Sequence, residues 1–296
     1  MTGNAAPHGA QDTPPGVSVV VAVWAGDAPG PLRDALESVR AQSFAGWECL
    51  IGADGPLTPE LDAVIGEFTA VDGRFRRVDH PGRRGPAAAR NRILPLVRGE
   101  FIAVLDADDA AEPRRLERQL ARMTAPDAPD VLGAWCLMVD AGGAPLGLRR
   151  TPSGPGAVRR ALWRRNPLAH SSVMLRTALL RDNPYPETRR FGEDHLLWVR
   201  LAAKGARLDT LPEVLCRYRI APLPKDHGTR RDRFRADWAT RREALRLLPS
   251  VVAALCLPAA FLLSAARLLP PGLLGRLRGL LARGIAHGIQ MAVGQA

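Results

Sequence analysis

At 296 residues the chain is long enough for one large domain or two moderate ones with a sizeable core. Its net charge of +11 rests almost wholly on arginine, since Lys204 and Lys225 are the only lysines, and such an excess asks for an anionic partner. Nucleic acid is excluded, because the arginines are scattered in pairs, only seven Phe and two Tyr accompany them, and no nucleic-acid module is recognisable; phosphorylated substrates or an anionic membrane surface are left. An Ala- and Arg-rich chain with few lysines is also what a high-GC genome produces without any function. Cys49, Cys136, Cys216 and Cys256 are far apart and form no C-x-x-C pair, which reads as free thiols in a reducing, cytoplasmic setting.

Residues 1–16 have neither the basic start nor the apolar stretch of a secretory signal and read as a disordered tail. Val17 to Val23 is a β-branched run that predicts a strand, and Leu32, Leu36 and Val39 then have helical spacing. Trp47 to Ile51 predicts a second strand, ending at Ala53-Asp54-Gly55-Pro56, a turn signal. A helix over Pro59 to Phe68 and a strand over Arg74 to Val78 follow. Gly85 to Val97 reads as a helix that Pro95 must kink or shorten. Phe101 to Leu105 is then an apolar strand ending in Asp106-Ala107-Asp108-Asp109. Strands alternating with helices predict a largely parallel, doubly wound sheet over these residues.

Arg114 to Met123 predicts a helix and Val131 to Val139 a strand leading to the Gly142-Gly143 turn. Gly- and Pro-rich residues 151–156 precede a short basic helix, Ser171 to Leu175 reads as a strand, Asp194 to Ala203 as a helix and Val214 to Ile220 as a closing strand. A soft boundary near residue 130 divides a first half (17–130) from a second (131–221), which would supply the wall for a second substrate against the end of the same sheet. Residues 222–296 form a helical extension. Within it Arg230 to Arg246 is a charged helix, Leu247 to Ala266 carries no charge, and Arg267 to Ala296 is amphipathic. Pro249 and Pro258 interrupt the uncharged run, so the extension suits an interfacial position on the inner face of the cell membrane, or burial in a homo-oligomer.

The acids after Leu105 have two readings. One is a capped turn, with Asp109 starting the next helix; the other is a strand tip where carboxylates hold a hard divalent cation and a phosphorylated ligand. Four features stand together here: Asp54 at a strand end, Arg90-Asn91 in the helix before the acidic strand, the Asp106-Ala107-Asp108-Asp109 tip, and Glu193-Asp194 downstream.

In that order and spacing, with Ser38-Val39-Arg40-Ala41-Gln42-Ser43-Phe44 and Gly99-Glu100-Phe101, they resemble the family 2 glycosyltransferases over about residues 17–220. The resemblance implies an α/β, Rossmann-like GT-A fold with a mostly parallel central sheet and flanking helices. It also implies an inverting transfer from a nucleotide-sugar, UDP-linked in the first instance, to a glycan, lipid-linked or small-molecule acceptor. Asp54 matches the base-reading aspartate, although Ala53 departs from the usual double aspartate. Asp106 and Asp108 match the metal-binding pair for Mn²⁺ or Mg²⁺, with His170 beside the diphosphate as a further donor contact or ligand. Asp194 matches the base that takes the acceptor proton, with Glu193 next to it. Arg90 and Asn91 are implied donor contacts, and Arg83, Arg84, Arg217 and Arg219 are weaker ones. The rivals are a nucleotidyltransferase and a binding protein that keeps the fold without turnover.

Overall fold

The computed structural model describes residues 15–188, 191–220 and 229–248, together with Phe261, Ser264 and Ala265. Most of the N-terminal tail, the bulk of the uncharged run 247–266 and the whole amphipathic stretch 267–296 lie outside the described residues. Within them, no helix is long and apolar enough to cross a membrane.

The β-branched run Val17–Val23 forms β1, with every side chain but Ala22 buried. Helix α1 (Pro29–Arg40) turns Leu32, Ala35, Leu36 and Val39 inward. Strand β2 (Trp47–Asp54) is buried throughout and runs three residues past the predicted end, which carries Asp54 onto the strand itself. Helix α2 (Pro59–Val71) starts at Thr58, whose hydroxyl accepts the Leu61 N–H. Strand β3 (Phe75–His80) and helix α3 (Pro86–Ile93) follow. Pro95 shortens α3 as predicted, since Leu94–Leu96 closes as a 3₁₀ turn. Strand β4 (Phe101–Asp106) ends on the first acid of the tip.

The remaining elements are β5 (Ala110–Ala111), α4 (Arg115–Met123), β6 (Val131–Val139), β7 (Pro145–Arg149), α5 (Pro155–Ala161), β8 (Met174–Arg176), α6 (Thr177–Asp182), α7 (Glu193–Ala203), β9 (Leu208–Arg219) and α8 (Arg230–Leu247). The sheet order is β3-β2-β1-β4-β8-β6-β9-β5, with β7 beside β6. Strands β3, β2, β1 and β4 are mutually parallel, as the alternating pattern predicts. Beyond β4 the sheet is mixed: β8 is antiparallel to β4 and β6, and β9 is parallel to β6.

Alternate side chains of β1 feed two cores. Val17, Val19, Val21 and Val23 pack with α1 and α2, while Val20 joins Ile93, Val104, Trp198 and Leu201 on the other face. Each such fully buried aliphatic side chain contributes about 1.5–3 kcal/mol. Helices on both faces leave one edge open. There Ala22 pairs with both Gly52 and Asp106, and Asp54 lies beside His80, so the C-terminal tips of β1, β2 and β4 line up.

Four departures from the sequence reading matter. Residues 171–175 are not one strand, because His170–Ser172 forms a 3₁₀ turn before β8 and so swings His170 and Ser171 toward the β4 tip. Strand β9 begins at Leu208, not Val214; Pro212 and Glu213 stopped the reading, and the sheet admits them as a bulge between the Ala134–Leu211 and Trp135–Val214 pairs. Strand β7 and helix α6 were not predicted at all. Asp109 does not cap α4. The position before that helix is Arg114, and the Asp109 carboxylate is buried where it accepts the Arg219 N–H at 2.7 Å.

Candidate active site

A cavity of about 870 Å³ opens over the aligned strand tips and is walled on its far side by the start of α7. Asp106 forms its floor and is held on three sides. Arg90 Nη2 donates to it at 2.6 Å, Ser171 Oγ at 2.8 Å, and His170 Nδ1 lies 3.2 Å away. Burial alone would raise this carboxyl, but the charges of His170 and Arg90 and the hydrogen bonds from His170 and Ser171 carry it well below the usual carboxylate range. His170 Nε2 is 3.1 Å from the Tyr185 hydroxyl. Both ring nitrogens are thus engaged, and in this arrangement the imidazole is a partner of Asp106 with no lone pair left open for a metal.

Asp108 lines the same cavity, and its carboxylate has no side-chain partner among the described residues. Burial, then the Asp106 charge, pushes it up to about 6. A third acid, Asp27, stands on the loop after β1, where one of its oxygens accepts the Trp24 N–H at 2.9 Å. Burial dominates that amide's opposing effect, and with the charges of Asp108 and Asp106 it lifts Asp27 to about 7. Sequence reading missed Asp27. Its only signal was an acid four residues past the end of an apolar strand, which is indistinguishable from an ordinary loop acid until β1 and β4 are seen to be neighbours.

At the β2 end, Asp54 is buried and accepts two backbone amides, Arg84 N–H at 2.7 Å and Gly85 N–H at 2.8 Å. It therefore shapes the loop that enters α3. Gly55 makes this close approach feasible: its φ is +87°, and a Cβ there would lie 2.9 Å from the Arg83 nitrogen. The side chain of Arg84 is exposed beside the cavity, and the Arg83 guanidinium lies 3.9 Å from the centroid of the Trp24 ring.

On the far wall, Gly192 takes the left-handed conformation at φ +68° and starts α7 with Glu193 and Asp194 in its first turn. Glu193 accepts Arg90 Nη1 at 3.4 Å; burial first, then the Asp194 charge, raises its carboxyl. Asp194 is held by neutral donors, with the Asn166 amide on Oδ2 at 2.5 Å and the His195 N–H on Oδ1 at 2.7 Å. Asn166 was not singled out from sequence, because a lone Asn in a basic, Pro-containing loop reads as a turn residue. Tyr218 and Arg149, stacked at 5.2 Å, complete the side toward β6 and β9, and burial pushes the Tyr218 phenol up to about 12.

Three predicted contacts fall elsewhere. Asn91 faces away from the cavity, donating to the Tyr185 carbonyl and Glu187 and accepting the Tyr185 N–H, all at 2.9 Å. It pins the segment that carries Tyr185. Arg217 is exposed on the outer face and pairs with Glu112 at 2.8 Å. Arg219 clamps the acidic tip through the Asp108 carbonyl, the Ala141 carbonyl and Asp34, which commits its guanidinium to structure.

Among the described residues no group of three His, Cys, Asp or Glu side chains forms a ready-made metal cage. The oxygens present still fit a hard cation that takes one or two carboxylates and completes its shell with waters and substrate phosphates. Asp108 is the free carboxylate of such a pair; burial is the main cause of the upward shifts of Asp108 and Asp27, and the neighbouring acid charges that add to it are what a divalent ion would relieve.

Residues 18–160 match the family described as Glycosyl transferase family 2. An uncharacterized glycosyltransferase of Methanocaldococcus jannaschii is 28% identical over 207 residues, which cover 70% of this chain and 71% of that protein. The amylovoran biosynthesis glycosyltransferase AmsE of Erwinia amylovora is 26% identical over 204 residues, covering 68% and 75%. Among solved structures, S. aureus TarS 1-349 in complex with UDP-GlcNAc has a TM-score of 0.63 at 20% identity, covering 83% of this chain and 71% of that one. The mannosyltransferase PcManGT from Pyrobaculum calidifontis, in complex with GDP-Man and Mn²⁺, has a TM-score of 0.61 at 19% identity, covering 94% and 81%. Against the longer TarS structure the chain spans 42% of that protein's length. The chain belongs to the family 2 glycosyltransferases and has their GT-A-like fold.

Proposed function

We propose that this family 2 glycosyltransferase moves a sugar from a nucleotide-sugar donor, UDP-linked in the first instance, to a hydroxyl of a growing glycan, with divalent metal and inversion at the anomeric carbon. The observation that carries the reading is the single cavity with Asp54 at one end, Asp106 and Asp108 on its floor and Asp194 on the opposite wall. That spread suits a donor lying across the strand tips and an acceptor entering from α7.

Each residue has a separate task in this reading. Asp54 fixes the Arg84-Gly85 loop and keeps a second lone pair on each oxygen for a base N–H. Asp108, with Asp106, would hold Mn²⁺ or Mg²⁺, whose chemistry is to neutralise the leaving diphosphate as a Lewis acid. Arg90 and His170 keep Asp106 ionised and in place. As the acceptor oxygen attacks the anomeric carbon and the bond to the diphosphate breaks, the acceptor proton passes to the Asp194 carboxylate. Asn166 and the His195 N–H aim that carboxylate without cancelling its charge.

The relatives support the donor class and leave the base to be tested, since one structural neighbour holds UDP-GlcNAc and another GDP-Man with Mn²⁺. A glycan acceptor follows the polymer named for the Erwinia relative. The test is a panel of UDP-, GDP- and dTDP-sugars scored by thermal shift with and without Mn²⁺, because a ligand that binds only the folded state raises its melting temperature. A metal-dependent shift and slow donor hydrolysis with a UDP-sugar are expected. If every nucleotide-sugar is silent with metal present, the reading fails.

A further inference from the structure

We propose that the outward face of α8 docks this protein on an anionic lipid surface. Four exposed arginines over the sheet are spent on carboxylates: Arg33 on Glu67, Arg114 on Glu117, Arg118 on Glu213 and Arg217 on Glu112. Helix α8 is built differently. Its three acids are turned to internal work. Asp232 closes the cap with Thr229, Asp237 holds the buried Arg241 at 2.7 Å, and Glu243 takes Arg200 at 2.8 Å. Arg231, Arg235, Arg242 and Arg246 are exposed and form no ion pair among the described residues.

At about 100° per residue these four fall within an arc of about 60°, opposite the buried Thr240 and Ala244, in a row about 22 Å long. Along the axis Trp238 falls between Arg235 and Arg242, about 20° beyond one edge of that arc. The Phe261 ring, 46% exposed, packs edge-on against Trp238 at 5.3 Å and Phe234 at 6.0 Å. Guanidinium groups in a row match a plane of lipid phosphates, and aromatic rings among them match the boundary between headgroup and acyl chain. A soluble acidic polymer would satisfy the arginines and give the rings no apolar layer.

The face is also tied to the cavity. Arg241 Nη1 donates to the carbonyls of Trp163, at 3.1 Å, and Arg164, in the turn that leads through the exposed Arg165 to Asn166. Docking would therefore hold the α7 side of the cavity near the lipid, where a lipid-borne acceptor would arrive. That consequence rests on the proposed transferase reading, whereas the docking does not.

The test is cosedimentation of the full chain with phosphatidylglycerol–phosphatidylcholine vesicles and with phosphatidylcholine alone, comparing the natural protein with R231E/R235E/R242E/R246E. The natural protein is expected to bind only the anionic vesicles, and less as salt rises. The variant is expected to bind at least several hundredfold more weakly, on the order of 600-fold, since each of the four basic residues near such a surface contributes about a fivefold factor. The milder R231Q/R235Q/R242Q/R246Q set guards against a folding defect, with the circular dichroism melt as control. The proposal is overturned by equal binding to neutral vesicles, by no binding to anionic ones, by capture on a soluble acidic polysaccharide without vesicle binding, or by variants that fold and still bind.

Discussion

The β4 tip and the start of α7 each bring a pair of acids to the same cavity, and the two pairs are held in opposite ways. At the β4 tip Asp106 is paired with the buried Arg90 and lies 3.2 Å from His170 Nδ1, while Asp108 beside it forms no ion pair among the described residues and is pushed up to about 6 by burial and by Asp106. At α7 the roles are exchanged: Glu193 takes the arginine, and among the described residues Asp194 is held by an amide and a backbone N–H. Each pair thus has one carboxylate anchored by a cation and one left to act on a ligand. What separates anchor from working group is the partner's charge, since all four lie at the cavity wall.

Substitutions can break this comparison. Asp194→Asn removes the unneutralised acid of α7 and is expected to lower turnover by about 10²–10⁴-fold while the donor-induced thermal shift persists; retention of turnover would remove the division of labour. Arg90→Met should instead destabilise the fold by about 3–5 kcal/mol, because it removes the buried guanidinium and leaves the partly buried Asp106 and Glu193 without their cation; chemical denaturation measures this.

Asp108→Asn should separate function from stability. It is expected to abolish the metal-dependent donor shift and yet to stabilise the unliganded protein at pH 8 by about 1–3 kcal/mol. The sign follows from the upward shifts. With folded values near 6 for Asp108 and 7 for Asp27, both acids favour the folded state when protonated, so their stabilising contribution is full below about pH 4 and is lost as pH rises through 6 to 7. Melting scans from pH 5 to 8 without metal should fall for the natural chain and flatten in Asp27→Asn and Asp108→Asn. The smallest effect sharpens the comparison from outside: Arg217→Ala, which breaks only an exposed pair with Glu112, should change stability by under about 1 kcal/mol and leave turnover intact.

Much of the strand-tip side of the cavity was legible in the chain because its acids lie at the ends of strongly patterned elements. The runs ending near Asp54 and at Asp106 announce buried strands, and acids that close such runs must stand at a sheet edge. The α7 side was legible only as Glu193-Asp194 preceding a helical pattern. Asn166 and Asp27 lie in loops without periodicity, and their meaning comes from neighbours far away in sequence. The charged helix over Arg230 to Arg246 was legible, but which of its arginines are committed inside the fold and which form one exposed row was decided by packing.

By itself, the sequence determined the alternation of strand and helix, the parallel half of the sheet and the acids at its tips, because hydrophobic period and chain breakers are local properties of the residues. Only the tertiary structure decided which acid is anchored and which is available. It turned Asn91, Arg217 and Arg219 to structural work, gave both nitrogens of His170 to Asp106 and Tyr185, and brought Asp27 beside Asp106 and Asp108. Those outcomes depend on strand pairing and on burial shared by residues as far apart as Asp34 and Arg219, and no short window along the chain contains both partners.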